Sequence, residues 1–202
     1  MAALLSPALY ALCRQLLRCT WERLNPVRVK GLEHLPAQGP AVICPKHQRW
    51  QDILAVGLAL PPPLYFIAKV ELFKTPGQRE FLQALGGVPV DRDSPRATLS
   101  SFRQIAPLLK TGAFLVLFPE GTYVRGRVGT GKHRLIQMLL KLQNQDGLSL
   151  LPFVPVGLAY RPQRLGLDIE VRVGAPLSVP RADQAPVLTR ALMQEIARLS
   201  GA

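Results

Sequence analysis

Ala41-Val42-Ile43-Cys44-Pro45-Lys46-His47-Gln48-Arg49-Trp50-Gln51-Asp52 is the stretch on which the fold turns. Ala41 to Cys44 reads as a strand buried on both faces. The apolar run from Asp52 to Leu60 reads as a helix, stopped by Pro61-Pro62-Pro63. A strand that feeds a short loop and then a helix is the unit of an open α/β sheet, and such sheets place their chemistry at the carboxyl ends of the strands. Here the loop carries His47 and the helix begins with Asp52. An imidazole exchanges protons near neutral pH, and a neighbouring carboxylate fixes its tautomer and stabilises its charged form. Five residues apart on one continuous helix, the two side chains would point about 140° away from each other. They can meet only if His47 lies in the turn and Asp52 reaches back from the first helical turn. Taken alone, the pair reads more simply as a loop histidine and a helix-start carboxylate favoured by the dipole.

The flanking segments repeat the same alternation. Arg28 to Leu32 reads as a short strand, and a Gly/Pro loop from Pro36 to Pro40 follows. Leu64 to Ala68 is a strand, Phe81 to Leu85 is helical up to Gly86-Gly87, and Val88-Pro89-Val90 is a brief strand running into Asp91-Arg92-Asp93. A helix from about Ala97 to Lys110 precedes Phe114-Leu115-Val116-Leu117-Phe118, the strongest buried-strand signal in the chain. Lys132 to Asp146 is a helix, and Phe153 to Tyr160 and Asp168 to Val173 are strands. The second of these alternates polar and apolar residues, as an edge or half-exposed strand does. The last helix places Leu188, Leu192, Ile196 and Leu199 on one face. The expected fold is a single α/β domain with a mostly buried mixed β-sheet flanked by helices, preceded by an amphipathic N-terminal helix. That divides the chain into a helix over 1–24 and a domain over 25–202.

At the N-terminus, Leu5, Leu9, Leu12 and Leu16 follow helical spacing, while Arg14 and Arg18 fall on the opposite side. The arginines interrupt the run well short of the ~20 apolar residues that a membrane span requires. Two readings fit: a helix packed on the domain, or one lying in a membrane interface with its arginines near lipid phosphates. The formal charge of +12 calls for an acidic partner: nucleic acid, an anionic membrane or a phosphorylated substrate. Aromatics are 6% of the residues and do not interleave with the basic ones, and no zinc-finger or RNA-recognition signature is present, so nucleic acid is not the expected partner. Cys13, Cys19 and Cys44 have the spacing of neither a metal site nor a disulfide framework and indicate reduced thiols facing the cytosol. Cys44, three residues before His47, invites a Cys-His nucleophile reading, which burial of a small residue in a strand explains more simply.

Phe118-Pro119-Glu120-Gly121-Thr122 leaves the buried strand and leads to Arg125 and Arg127, a glycine-bearing loop suited to phosphate capture. Arg92 leaves a strand end in the same way. Gly126 to Lys132 has the spacing Gly-x-x-x-x-Gly-Lys, but His133 stands where a phosphate-binding P-loop needs Ser or Thr to hold magnesium. The loop also begins seven residues after its strand, so a nucleotide-hydrolysing site is a near miss.

His47-x-x-x-x-Asp52, Lys69-x-Glu71-Leu72 leading through Gly86-Gly87 to Asp91-Arg92, Phe118-Pro119-Glu120-Gly121-Thr122 and Val154-Pro155-Val156 resemble, in order and spacing, the four blocks of the glycerolipid acyltransferases. The closest resemblance is to the 1-acylglycerol-3-phosphate acyltransferases. It implies that an acceptor hydroxyl attacks an acyl thioester, with His47 as its general base and Asp52 orienting the imidazole. It further implies that Glu120, Gly121 and Thr122 shape the acceptor pocket and that Arg92, Arg125 and Lys69 hold the acceptor phosphate. No metal and no cofactor are implied, the thioester being supplied by acyl-CoA or acyl carrier protein. The implied partners are a lysophospholipid and an anionic membrane surface, with the protein monotopic on the cytoplasmic face. The chain departs from the family pattern at Arg49, where a small hydroxyl residue is often found, and at Tyr123, where arginine commonly follows Glu-Gly-Thr. Two other classes remain at this point: a non-catalytic lipid-binding protein of the same fold, and a nucleotide-dependent enzyme using Gly126 to Lys132.

Overall fold

The computed structural model describes residues 5–91, 95–145 and 150–201. Seven strands form one sheet: β1 (Val27–Lys30), β2 (Ala41–Pro45), β3 (Leu64–Lys69), β4 (Gly87–Val90), β5 (Phe114–Val116), β6 (Phe153–Pro162) and β7 (Leu167–Val173). Their spatial order is β1-β7-β6-β2-β5-β3-β4, and every pair is parallel except β6 with β7. The sheet is therefore mixed, and β2 lies at its centre.

Strand β2 is apolar throughout because both of its faces are covered. Val42 and Cys44 pack on one side with the helices α5 (Pro95–Arg103), α6 (Ile105–Lys110), α7 (His133–Gln145) and α8 (Ala185–Ser200). Ala41 and Ile43 pack on the other side with α3 (Gln51–Ala59). This is the period-two alternation of a strand between two helical layers. Helix α4 (Gln78–Ala84) sits near β4. The helix expected from Ala97 to Lys110 is divided in two at Gln104. Pro107 has no N–H to continue an α-helical ladder, and it falls in the first turn of α6, where a missing donor costs least. Strand β5 stops at Val116, two residues before the end of its apolar run. Leu117 still donates its N–H to the Ile43 carbonyl at 2.9 Å.

Strand β7 corrects a sequence expectation. It is not at the edge but between β1 and β6, and its Asp168 and Glu170 are 8% and 5% exposed. Cross-strand cations make that burial possible: Arg28 pairs with Asp168, and Lys30 approaches Glu170 at 2.6 Å. Arg172 on the same strand adds a contact at 3.1 Å. The hydrogen bonds from Arg172 and Lys30 hold the Glu170 carboxyl down at about 2. A depressed carboxyl contributes stability that is present above its unfolded value and lost as pH falls through the folded one. Glu170→Gln should therefore unfold at lower urea than the parent at pH 7. The gap should narrow from the ordinary glutamate value of 4.5 down to about 2. A pH-independent gap in the urea midpoints would remove the ion pairs as its cause.

The helices α1 (Pro7–Cys19) and α2 (Trp21–Leu24) precede β1, and Ser6 caps α1 by accepting the Leu9 N–H at 3.4 Å. Sequence spacing grouped Leu12 and Leu16 with the apolar face and Arg14 with the polar one, and the structure reverses both. Leu12 and Leu16 are 56% and 54% exposed. The Arg14 guanidinium turns inward and donates to the carbonyls of Leu58, Leu60 and Pro61 at 3.1, 2.8 and 2.8 Å, capping the end of α3. Three acceptors free of helix partners attract an arginine fork more strongly than apolar patterning alone directs it. Among the described residues, no helix is long and apolar enough to cross a membrane.

Candidate active site

His47 lies two residues past the end of β2, in a loop tied to a neighbouring one. Its N–H donates to Glu120 Oε2 at 2.8 Å, and its carbonyl accepts the Val124 N–H at 2.8 Å. The loop after β2 is thus joined to the loop after β5, two neighbouring strands whose carboxyl ends lie side by side. The imidazole stacks on Phe118 with ring centres 3.9 Å apart and meets Tyr123 at 4.4 Å.

Asp52 lies in the first turn of α3 and is fully buried. Its Oδ2 accepts from His47 Nδ1 at 3.0 Å and from the N–H groups of Gln48 and Arg49 at 2.6 and 2.7 Å. Its Oδ1 accepts from the Tyr160 hydroxyl at 2.5 Å. A carboxylate accepts only, so this pairing assigns the proton to Nδ1 and leaves a lone pair on Nε2. The His47 side chain is 13% exposed, which opens the ring to a ligand while the carboxylate stays dry. Burial and the Asp52 charge both raise Tyr160 far above the ordinary range of a phenol, so its hydroxyl remains a donor. The Arg49 guanidinium lies 5.1 Å from the centre of the Tyr160 ring, which gives that residue a place: it covers the aromatic side of the dyad's support.

Glu120 is braced rather than presented. Lys46 Nζ lies 2.8 and 3.0 Å from its two oxygens, and the N–H groups of His47 and Gly129 donate to it at 2.8 and 2.7 Å. Lys46 and Glu120 are 2% and 1% exposed. The Lys46 ammonium also donates to the Val124 carbonyl at 2.6 Å. Glu120 therefore shapes the site by fixing two loops. Gly121 takes φ +67°, a left-handed turn conformation, beside the Lys132 side chain. Thr122 and Tyr123 are exposed, as is Arg125. Lys69, also exposed, ends β3 at the same edge of the sheet. Arg92 lies outside the described residues.

Cys44 is no nucleophile in this arrangement. It is fully buried on the face opposite α3, and burial pushes its thiol well above the ordinary range. Among the described residues, no group of three His, Cys, Asp or Glu is placed to hold a metal ion. The arrangement can take a proton from a hydroxyl delivered to His47 Nε2 and stabilise the resulting imidazolium through Asp52.

Known proteins share both the sequence and this architecture. A family model described as Acyltransferase matches residues 26–159. A Bacillus subtilis protein named 1-acyl-sn-glycerol-3-phosphate acyltransferase is 29% identical over 95% of this chain and 96% of its own length. A Rhizobium meliloti protein named lyso-ornithine lipid O-acyltransferase is 32% identical over 66% of this chain and 42% of its own length. The crystal structure of a Thermotoga maritima protein titled 1-acyl-sn-glycerophosphate (LPA) acyltransferase, PlsC, superposes with a TM-score of 0.69. It is 21% identical, and the match covers 96% of this chain and 80% of that one, which supports the fold. The family model spans the chain from the start of β1 into β6, more than half of its length and including both His47 and Asp52, so the chain belongs to the acyltransferase family.

Proposed function

We propose that the protein transfers a fatty acyl group from an acyl thioester to the 2-hydroxyl of 1-acylglycerol-3-phosphate, yielding phosphatidic acid. The observation that carries this reading is the His47 Nδ1–Asp52 Oδ2 pair at 3.0 Å, with the imidazole 13% exposed and the carboxylate fully buried. The acceptor supplies the nucleophile. His47 Nε2 takes the proton of its hydroxyl as the oxygen attacks the thioester carbonyl. The new C–O bond forms, the C–S bond breaks, and the proton passes to the departing sulfur, giving a free thiol. No acyl-enzyme and no cofactor enter this sequence.

An apolar cavity of about 280 Å³ between α1, α3, β3 and α4 supports an acyl-chain role. Leu17, Leu54, Leu58, Phe66 and Leu72 line it, and burial of chain methylenes there contributes about 0.8 kcal/mol each. Arg125, in the loop after β5, and Lys69, at the carboxyl end of β3, are the proposed phosphate ligands, together with Arg92 on its position in the sequence. Trp50 and Phe81 are 58% and 50% exposed, and with Leu12 and Leu16 they suit a monotopic protein on the cytoplasmic face of an anionic membrane.

Purified protein supplied with lysophosphatidate and an acyl thioester should release free thiol only when both are present. Lysophosphatidate should be preferred over other lysophospholipids and glycerol-3-phosphate in competition. Liposome binding with no thiol release under any pairing would favour a lipid-binding role instead.

A further inference from the structure

Strand β6 outruns its neighbour in the sheet. Pro45, the last residue of β2, is paired with Val156, and β6 continues to Pro162 before the chain turns into β7. At ~3.3 Å per residue the continuation measures about 20 Å, and because β2 and β6 are parallel it leaves the sheet on the edge that carries His47. Tyr160, whose hydroxyl bonds Asp52, lies on this continuation, so the hairpin tip begins one residue beyond the support of the dyad. From Arg161 to Gly166 every residue is exposed.

The tip is braced against the end of α2. A Cβ on Gly166 would come within 1.9 Å of the Leu24 carbonyl oxygen. The Leu167 N–H donates to Asn25 Oδ1 at 3.1 Å, and the buried Asn25 donates in turn from Nδ2 to the Trp21 carbonyl at 3.0 Å. Leu165 nevertheless points outward and is 70% exposed, the most exposed large apolar side chain among the described residues. A single exposed leucine is ordinary on a protein surface. Here the brace joins the Leu165 turn to the segment of Leu24, which is 54% exposed.

The charge around the tip has one sign. Phe153 to Leu167 contains Arg161 and Arg164 and no acidic residue. Arg164 and Arg23 are exposed and join no ion pair among the described residues, whereas Arg161 approaches Glu170 at 3.8 Å. Arg49, over the ring of Tyr160, adds a further cation at the base of the hairpin. An exposed apolar apex flanked by unpaired guanidinium groups matches hydrocarbon lying behind a layer of phosphates. We infer that the β6–β7 tip is a lipid-inserting finger: Leu165 enters the headgroup boundary of an anionic bilayer, and Arg23 and Arg164 pair with phosphates at its surface. The finger stands on the strand that holds Asp52 through Tyr160, so its insertion turns the His47 edge of the sheet toward the leaflet in which a lysophospholipid resides. The inference rests on the reading of the protein as an acyltransferase of membrane lipids and adds a contact that the N-terminal helix does not make.

The test is co-sedimentation with vesicles of phosphatidylglycerol and phosphatidylcholine, without substrate. Leu165→Asp should bind about tenfold more weakly than the parent, and Arg164→Gln about fivefold more weakly, the latter deficit closing in 1 M salt. Neither exposed position should move the urea midpoint. Thiol release should fall in both variants when lysophosphatidate is presented in vesicles and stay at the parent rate when it is a short-chain, monomeric form. Unchanged vesicle binding by either variant, or no binding by the parent, would overturn the assignment. So would a parent dimer that Leu165→Asp dissociates in sedimentation velocity while its vesicle binding is unaltered, which would make the tip a contact between copies. If the parent released no thiol under any pairing, the acyltransferase reading would fail, and weakened vesicle binding by both variants would still uphold the finger.

Discussion

Replacing His47 with Ala is expected to lower kcat by about 10²–10⁴-fold, the contribution of a positioned general base. Thiol release in the presence of lysophosphatidate is the measurement. Asp52 Oδ2 keeps the Gln48 and Arg49 N–H donors when the imidazole is removed, and unfolding curves should separate loss of chemistry from loss of fold. The supporting residues should form a graded series. In Asp52→Asn, an NH₂ group must face a donor, because Gln48 N–H, Arg49 N–H, His47 Nδ1 and the Tyr160 hydroxyl already occupy both oxygens. That change should approach the His47 loss and disturb the loop as well. Tyr160→Phe removes one donor and leaves Asp52 Oδ1 unpaired, a cost of about 1–3 kcal/mol, so its effect on kcat should be smaller. Turnover by His47→Ala at the normal rate would end the base assignment. A Tyr160→Phe loss equal to that of His47→Ala would place the phenol in the chemistry instead of behind the carboxylate.

What the sequence made legible here was local. Ala41 to Cys44 could be read as a strand buried on both faces because every residue in it is apolar, and the five-residue separation forced His47 into the turn before the helix. Tyr160 was not legible as the third partner of Asp52. It lies 108 positions away, and nothing in an apolar strand run marks its last residue as a donor to a buried acid. Arg14 was misread because helical spacing sorts residues by polarity and says nothing of the three open carbonyls at the end of α3. Asp168 and Glu170 were read as facing solvent because alternation reports which face a side chain takes; whether that face is covered depends on β1, more than 130 positions earlier. Lys46 had a readable signal: a lysine immediately after five buried residues must either snorkel to water or find an acid. Glu120 ends the buried run that continues past β5, so two complementary charges follow adjacent strands.

That pair leads to the second large effect. Sequence resemblance assigned Glu120 to the acceptor pocket, and its geometry adds four hydrogen bonds from three donors, Lys46 Nζ and the His47 and Gly129 N–H groups, that bind the 46–50, 119–124 and 126–132 loops together. Glu120→Ala would leave the Lys46 ammonium buried without its counter-charge and two N–H groups without an acceptor. Breaking a buried pair from one side costs about 3–5 kcal/mol, a large part of a domain's stability of roughly 5–15 kcal/mol. Urea unfolding of Glu120→Ala should show that loss, and kcat should fall with it, because the His47 N–H is one of the orphaned donors. The double change Lys46→Met, Glu120→Met removes both charges at once and should recover much of the stability, since apolar replacement of a buried pair is often neutral or better. It should not recover the rate, because the backbone donors of His47 and Gly129 would still lack an oxygen to hold them. Recovery of both would reduce the pair to a stability device, and unaltered stability in Glu120→Ala with only a raised KM for the acceptor would return Glu120 to the role its sequence suggested.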